Sequence, residues 1–121
     1  MTEPTLADTL MKESDLATWL EDTLTTTGWL WCHFRPARTK DSWVTAITGH
    51  KGFYDYVAIR DARFLLIELK SEKGNLTPEQ KDWHDAVDLM NRLRHKKGYN
   101  NLVEKYLIKP SDRGWIEEVL K

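Results

Sequence analysis

Leu6, Leu10, Leu16, Leu20 and Leu24, joined by Trp19, recur at three- and four-residue steps with one step of six. That is the period of one helical face, so the pattern predicts an amphipathic first helix that ends near Thr25 to Gly28. "WLWCHF", Trp29 to Phe34, is a short apolar and aromatic run bounded by Gly28 and Pro36, as a strand would be. From Arg35 to Gly52 the pattern loses its period, and a long loop with a short strand at "WVTAI" is expected there. "YVAIR" and "RFLLIELK" flank Asp61-Ala62 and read as a hairpin.

"NLTPEQ" announces the next helix. Thr77 stands at the N-cap, Pro78 at the first helical position, and Gln80 at the third, where its amide reaches back to close a capping box. Trp83, Val87, Met90 and Leu93, or alternatively Ala86 and Leu89, form the expected buried stripe, and Gly98 the stop. "LVEKYLI" is a further strand, Lys109-Pro110 breaks it, and Ser111 or Asp112 caps a last short helix docked through Ile116, Val119 and Leu120. The resulting order is α-β-(loop)-β-β-α-β-α. It predicts an α/β fold in which a mixed central sheet is flanked by helices.

Length and composition set the scale. With 121 residues, 40% of them hydrophobic and 31% charged, one domain over 1–121 is expected, since half the chain would bury too little to fold alone. No long apolar run and no basic-then-apolar start is present, so a soluble cytoplasmic protein without a membrane association is expected. Cys32 is the sole cysteine, which excludes an internal disulfide and a cysteine-built zinc site.

The net charge of −1 hides a separation of sign. Residues 1–27 carry Glu3, Asp8, Glu13, Asp15, Glu21 and Asp22 against Lys12 alone, whereas His33 to Lys51 holds Arg35, Arg38, Lys40 and Lys51 against Asp41. "RLRHKK", Arg92 to Lys97, is a second basic cluster. Local cationic patches of this kind suit a phosphate backbone, or else are two solvated surfaces. His33 either contacts a phosphate at the sheet edge or makes a structural hydrogen bond, and Trp43 has the aromatic face to stack on a base.

Glu68 and Lys70 interrupt the apolar run "FLLIELK". If Asp61-Ala62 is a two-residue turn, Arg60 pairs with Arg63 and Asp55 comes opposite Glu68. Like charges so placed destabilise a sheet. Lys70 projects from the same face as Glu68 because strand side chains alternate. Two converging carboxylates are hard oxygen ligands for Mg²⁺ or Mn²⁺, and a neighbouring lysine can orient water or stabilise charge growing on a phosphate. The plainer alternative makes Lys70 an ordinary ion-pair partner and Asp55 a turn cap after Gly52. Glu13 adds a third acid, placed on the apolar stripe of the first helix where a charge needs an inward partner.

"GFYDY" at Gly52 to Tyr56, then "ELK" thirteen residues after Asp55, then "SEKGNLTPEQ", resemble the core of the VRR-NUC group within the PD-(D/E)XK nuclease superfamily, found in small phage and bacterial proteins. "GWLWCHFRPAR" upstream and "KYLIKPSD" downstream are similar to that family's first strand with its basic loop and to its closing strand and turn. The resemblance implies a restriction-endonuclease-like fold and a Mg²⁺-dependent DNA endonuclease, with Mn²⁺ as substitute and no organic cofactor, in a bacterial or phage-infected cell. It implies Asp55 and Glu68 as metal ligands, Lys70 as the catalytic lysine, Glu13 as binding or orienting metal water, and Gln80 close to the site. Tyr54 stands where the motif usually has proline. Branched, flap and junction DNA are the substrates in view, and cutting both strands of a junction would call for a homodimer. A nuclease fold that grips DNA without cutting is the alternative.

If the loop after the first strand positions phosphate, replacing Arg35 and Arg38 by Ala weakens DNA binding and lowers its salt slope by about 0.9 log unit per lost duplex phosphate contact. Binding titrations at several salt concentrations measure this, and an unchanged slope removes the loop from the binding surface.

Overall fold

The computed structural model describes residues 3–35, 37–38, 43–44 and 47–121. Helices α1 (Leu6–Leu10) and α2 (Glu13–Thr26) lead into strand β1 (Leu30–His33); β2 (Ala37–Arg38) and β3 (Trp43–Val44) form a two-residue ladder of their own. Strands β4 (Tyr56–Arg60) and β5 (Arg63–Leu69) make the hairpin, α3 (Pro78–Lys96) crosses to β6 (Glu104–Ile108), and a 3₁₀ turn at Pro110–Asp112 opens α4 (Arg113–Leu120).

The main sheet has the order β1-β4-β5-β6, antiparallel except for the β5–β6 pair that α3 connects. The expected mixed sheet flanked by helices is therefore present. Arg60 pairs with Arg63, and Asp61 takes a positive φ of 54°, which a two-residue hairpin turn demands and aspartate tolerates. The facing guanidiniums are each claimed elsewhere. Arg60 donates to the Thr27 and Leu120 carbonyls at 2.8 Å, Arg63 binds Glu104 at 2.7 and 2.8 Å, and both lie over the Trp29 ring.

Alternation along β4 and β5 divides the interior in two. Tyr56, Ala58, Leu65 and Ile67 point to the side where Leu16, Leu20 and Leu24 of α2 and Ile116 and Leu120 of α4 complete the larger core. Leu66 points to the other side, against Tyr54 and Val87, with Val57 and Trp83 at the margin. Among the described residues, no helix is long and apolar enough to cross a membrane.

Three expectations need correction. The single first helix is two, because Met11 turns extended (φ −67°, ψ 129°) at the six-residue step in the leucine pattern, and Leu6 and Leu10 stay exposed. A separate cap starts α1, with Thr5 and Asp8 exchanging bonds of 2.9 and 3.1 Å. On α3, His84 and Val87 are buried while Leu89, Met90 and Leu93 are exposed, so the stripe meets the sheet only over its first half. Neither Ser111 nor Asp112 caps α4 through its side chain: Ser111 binds Glu72, and Asp112 accepts from the Lys109 amide and the Trp115 indole.

The Thr77 box forms as expected, with the Thr77 amide donating to Gln80 Oε1 at 2.9 Å and the Gln80 amide to Thr77 Oγ1 at 3.2 Å. Thr77→Ala should cost about 1 kcal/mol of unfolding free energy and leave the fold unchanged. Urea unfolding of the variant measures this, and a loss near zero would mean that the cap contributes nothing.

Candidate active site

The approach to β4 is set by a glycine. Gly52 has φ +85°, and a Cβ there would stand 2.6 Å from the Glu79 carbonyl carbon and 2.7 Å from the Gln80 amide, so only glycine lets the chain pass the first turn of α3. Beyond it Phe53 packs edge-on to Trp83, and Tyr54 is buried against the His84 ring at 4.5 Å. The Asp55 carbonyl accepts from the Phe34 amide at 2.8 Å, which extends the β1–β4 pairing by one step.

Asp55 lies one residue beyond the last pair of the β4–β5 ladder, Tyr56 with Ile67, and its Oδ2 accepts from the Leu69 amide at 2.8 Å. That bond holds the carboxylate beside Glu68, as the hairpin register requires. Glu68 is 1% exposed, and its Oε1 has no hydrogen-bond partner among the described residues. Burial pushes its carboxyl up to about 9; hydrogen bonding and repulsion with Asp55 add to the rise and Lys70 opposes it.

Glu13 comes to the same place from α2, as its first residue. It is exposed rather than buried in the leucine stripe, yet its carboxyl is raised, first by partial loss of water and then by Asp55, with Lys70 lowering it. The site thus sits at the end of the sheet, between the starts of α2 and α3. Lys70 is half-buried and, among the described residues, within 4 Å of no carboxylate. Its plainer role as a strand-end ion-pair partner is therefore not realised. Among the described residues, no three His, Cys, Asp or Glu side chains form a ready-made metal cage; Asp55 and Glu68 are a pair, with Glu13 joined to them through charge.

The other expected residues fall elsewhere. Gln80 commits its amide oxygen to the helix cap, although its turn packs on Gly52 at the edge of the site. His33 is bound to Glu21 Oε2 at 3.1 Å and stacked on Tyr56 at 4.1 Å, and Arg35 stands 3.7 Å from Glu21 Oε1. The structural bond weighed for His33 is thus present. Tyr56 donates its hydroxyl to the same Glu21, and its ionisation is pushed up by burial and then by that carboxylate. Lys51 is exposed, and its carbonyl accepts from the Trp83 indole at 2.8 Å. Lys40 and the side chains of Arg38 and Trp43 lie outside the described residues.

Two buried groups lie beside the acids: sequence reasoning passed over His84 and saw in Tyr54 only a substitute for the motif's proline. Among the described residues His84 Nε2 and the Tyr54 hydroxyl have no partner; burial lowers the His84 ring's proton affinity, and burial followed by Asp88 and Glu68 raises that of Tyr54. The available signal was His84 lying three residues before Val87, on the face of α3 that meets the sheet. The chain matches no protein-family model, and no curated protein matches it.

A Glu68 carboxyl at about 9, against 4.5 for an ordinary glutamate, keeps a proton in the folded state that the unfolded chain loses. Stability without metal should accordingly be greatest below about pH 4.5 as far as this group is concerned, fall as pH rises toward 9, and level off above it. Glu68→Gln should flatten that decline and exceed the native protein in stability at pH 8. Urea unfolding across pH 5 to 9 would refute the assignment if both proteins gave the same slope.

Proposed function

We propose that this chain is a divalent-metal-dependent DNA endonuclease, with branched, flap or junction DNA as its substrate class. The observation that carries the reading is the buried Glu68 carboxyl, one of whose oxygens has no hydrogen-bond partner among the described residues, held beside Asp55 at the end of the sheet. A fold gains nothing in stability from such a pair. An oxygen-loving cation relieves both the repulsion and the orphaned acceptor, so the donor chemistry fits Mg²⁺ or Mn²⁺. Asp55 and Glu68 are the residues that would hold it.

When bound, the ion supplies Lewis acidity toward a phosphodiester oxygen and lowers the pKa of water. Everything else falls to the chain. The Leu69 amide fixes Asp55, and burial fixes Glu68, so the two carboxylates need little rearrangement. Lys70, not spent in a close ion pair, stands ready to orient the attacking water or to neutralise charge accumulating on the phosphate. Glu13 extends the acidic patch from the α2 side. Arg35 and Lys51, both exposed, flank the site on the side where the chain runs from β1 to β4 and suit contacts with adjacent phosphates. No organic cofactor is needed, and the reading places the protein in the cytoplasm of a bacterial or phage-infected cell.

The experiment is cleavage of a panel of end-labelled duplex, flap, branched and junction DNAs in Mg²⁺ and in Mn²⁺. Cleavage should require metal and stop on chelation. Asp55→Asn and Glu68→Gln should abolish it, and Lys70→Ala should lower it by a factor on the order of a hundred while DNA binding persists. Binding without cleavage of every substrate in both metals would overturn the nuclease reading in favour of a DNA-binding module.

A further inference from the structure

Glu79, Asp82, Trp83 and Ala86 follow one another on α3 at steps of 3, 1 and 3 residues, which puts them on one flank of its first turns. Between that flank and residues 49–51 lies a cavity of about 550 Å³, within the roughly 300–1,000 Å³ of ligand sites. Trp83 forms its apolar wall. The indole N–H is spent on the Lys51 carbonyl at 2.8 Å, and the ring packs edge-on to Phe53. The side chain is thus held in place, partly exposed, and offers the cavity a ring rather than a donor.

The polar groups on the two sides differ in kind. The helix side carries the carboxylates of Glu79 and Asp82, both exposed and forming no ion pair among the described residues, and the loop side carries Lys51 and the His50 ring. Two acids would be out of place in a groove that only tracked phosphates. We propose that this cavity is a pocket for one unpaired, amino-bearing nucleobase (cytosine, adenine or guanine) of the DNA, an inference that rests on the nuclease reading for its substrate. The base stacks on Trp83, its exocyclic amino group donates to Glu79 or Asp82, and its phosphate lies against Lys51 and His50. Thymine has no exocyclic amino group and turns carbonyl oxygens toward the carboxylates, so it is disfavoured. A paired base is enclosed in its stack and cannot reach the indole, so only a nucleotide that has left the duplex enters.

The chain itself ties the pocket to the acids. Gly52 abuts the backbone of Glu79 and Gln80 with no room for a Cβ, directly after Lys51 and three residues before Asp55. Three residues span at most about 11 Å, the length of about three nucleotide steps of 3.4 Å in a stacked strand. A strand whose phosphate sits at Asp55 and Glu68 therefore has bases in reach of Trp83 within a few nucleotides. Among branched, flap and junction DNAs, the pocket selects those that leave a cytosine, adenine or guanine unpaired beside the branch.

Fluorescence anisotropy of labelled DNA hairpins in EDTA tests it without any cleavage. A blunt hairpin is compared with the same hairpin extended, at its 5′ or its 3′ end, by a short single strand of cytosines or of thymines. On one end at least, the cytosine extension should tighten binding ~10-fold over the blunt hairpin, as one stacked base would, and the thymine extension by less. Trp83→Leu should lose that gain and keep its affinity for the blunt hairpin. Glu79→Gln with Asp82→Asn should bring thymine level with cytosine, because an amide both donates and accepts. Both acids are exposed, and circular dichroism verifies that the variants fold. Equal binding of blunt and extended hairpins, equal binding of cytosine and thymine extensions by the native protein, or native preferences that survive in the variants would each overturn the pocket and leave the metal site standing. Failure to cleave in any metal would remove the nuclease reading and leave these affinities as they are, whereas binding of none of the hairpins would overturn both.

Discussion

The register of the β4–β5 hairpin is the constraint on which the rest of the structure depends. A slip of β5 by one residue against β4 would turn every side chain of β5 to the opposite face. Leu65 and Ile67 would leave the α2 side, Leu66 would leave α3, and Glu68 would part from Asp55. The turn at Asp61-Ala62 and the claims on Arg60 and Arg63 hold that register from one end, and the Leu69 amide bound to Asp55 holds it from the other. Core and candidate site are thus consequences of a single alignment, and the acids are brought together by the same hydrogen bonds that align the strands.

That alignment was legible in the sequence because it is local. Two apolar runs separated by Asp-Ala admit few turns, and the pairing of Arg60 with Arg63 follows from the shortest. The Thr77 box was legible for the same reason, being made of residues three apart. The break in the first helix was written in the six-residue leucine step, but periodicity cannot say whether such a step is bridged or broken. Glu13 illustrates the cost: read on one continuous stripe it points inward, whereas at the start of α2 it stands at the margin of the site.

What depends on tertiary contact was not legible. The apolar residues of α3 have a clean period whether they meet a sheet or a second helix, and only the structure divides them into Val87, which is covered, and Leu89, Met90 and Leu93, which are not. Glu21 looked like one more acid in an acidic segment, yet it gathers His33, Tyr56 and Arg35, so the expected phosphate ligand His33 is occupied within the protein. His84 carries no motif, and Tyr54 drew notice only as a departure from one; what marks both is that they are buried without side-chain partners among the described residues.

The account's central claim is that Asp55 and Glu68 form an unfavourable pair whose cost a divalent cation removes. A calorimetric titration of Mn²⁺ into the native protein and into Glu68→Gln, at constant pH in two buffers of different ionisation enthalpy, tests it most directly. The account predicts one binding event in the native protein, released protons as the Glu68 carboxyl ionises on binding, and neither in the variant. Absence of heat in the native protein up to ~10 mM Mn²⁺, or binding that releases no proton and survives in Glu68→Gln, would contradict it.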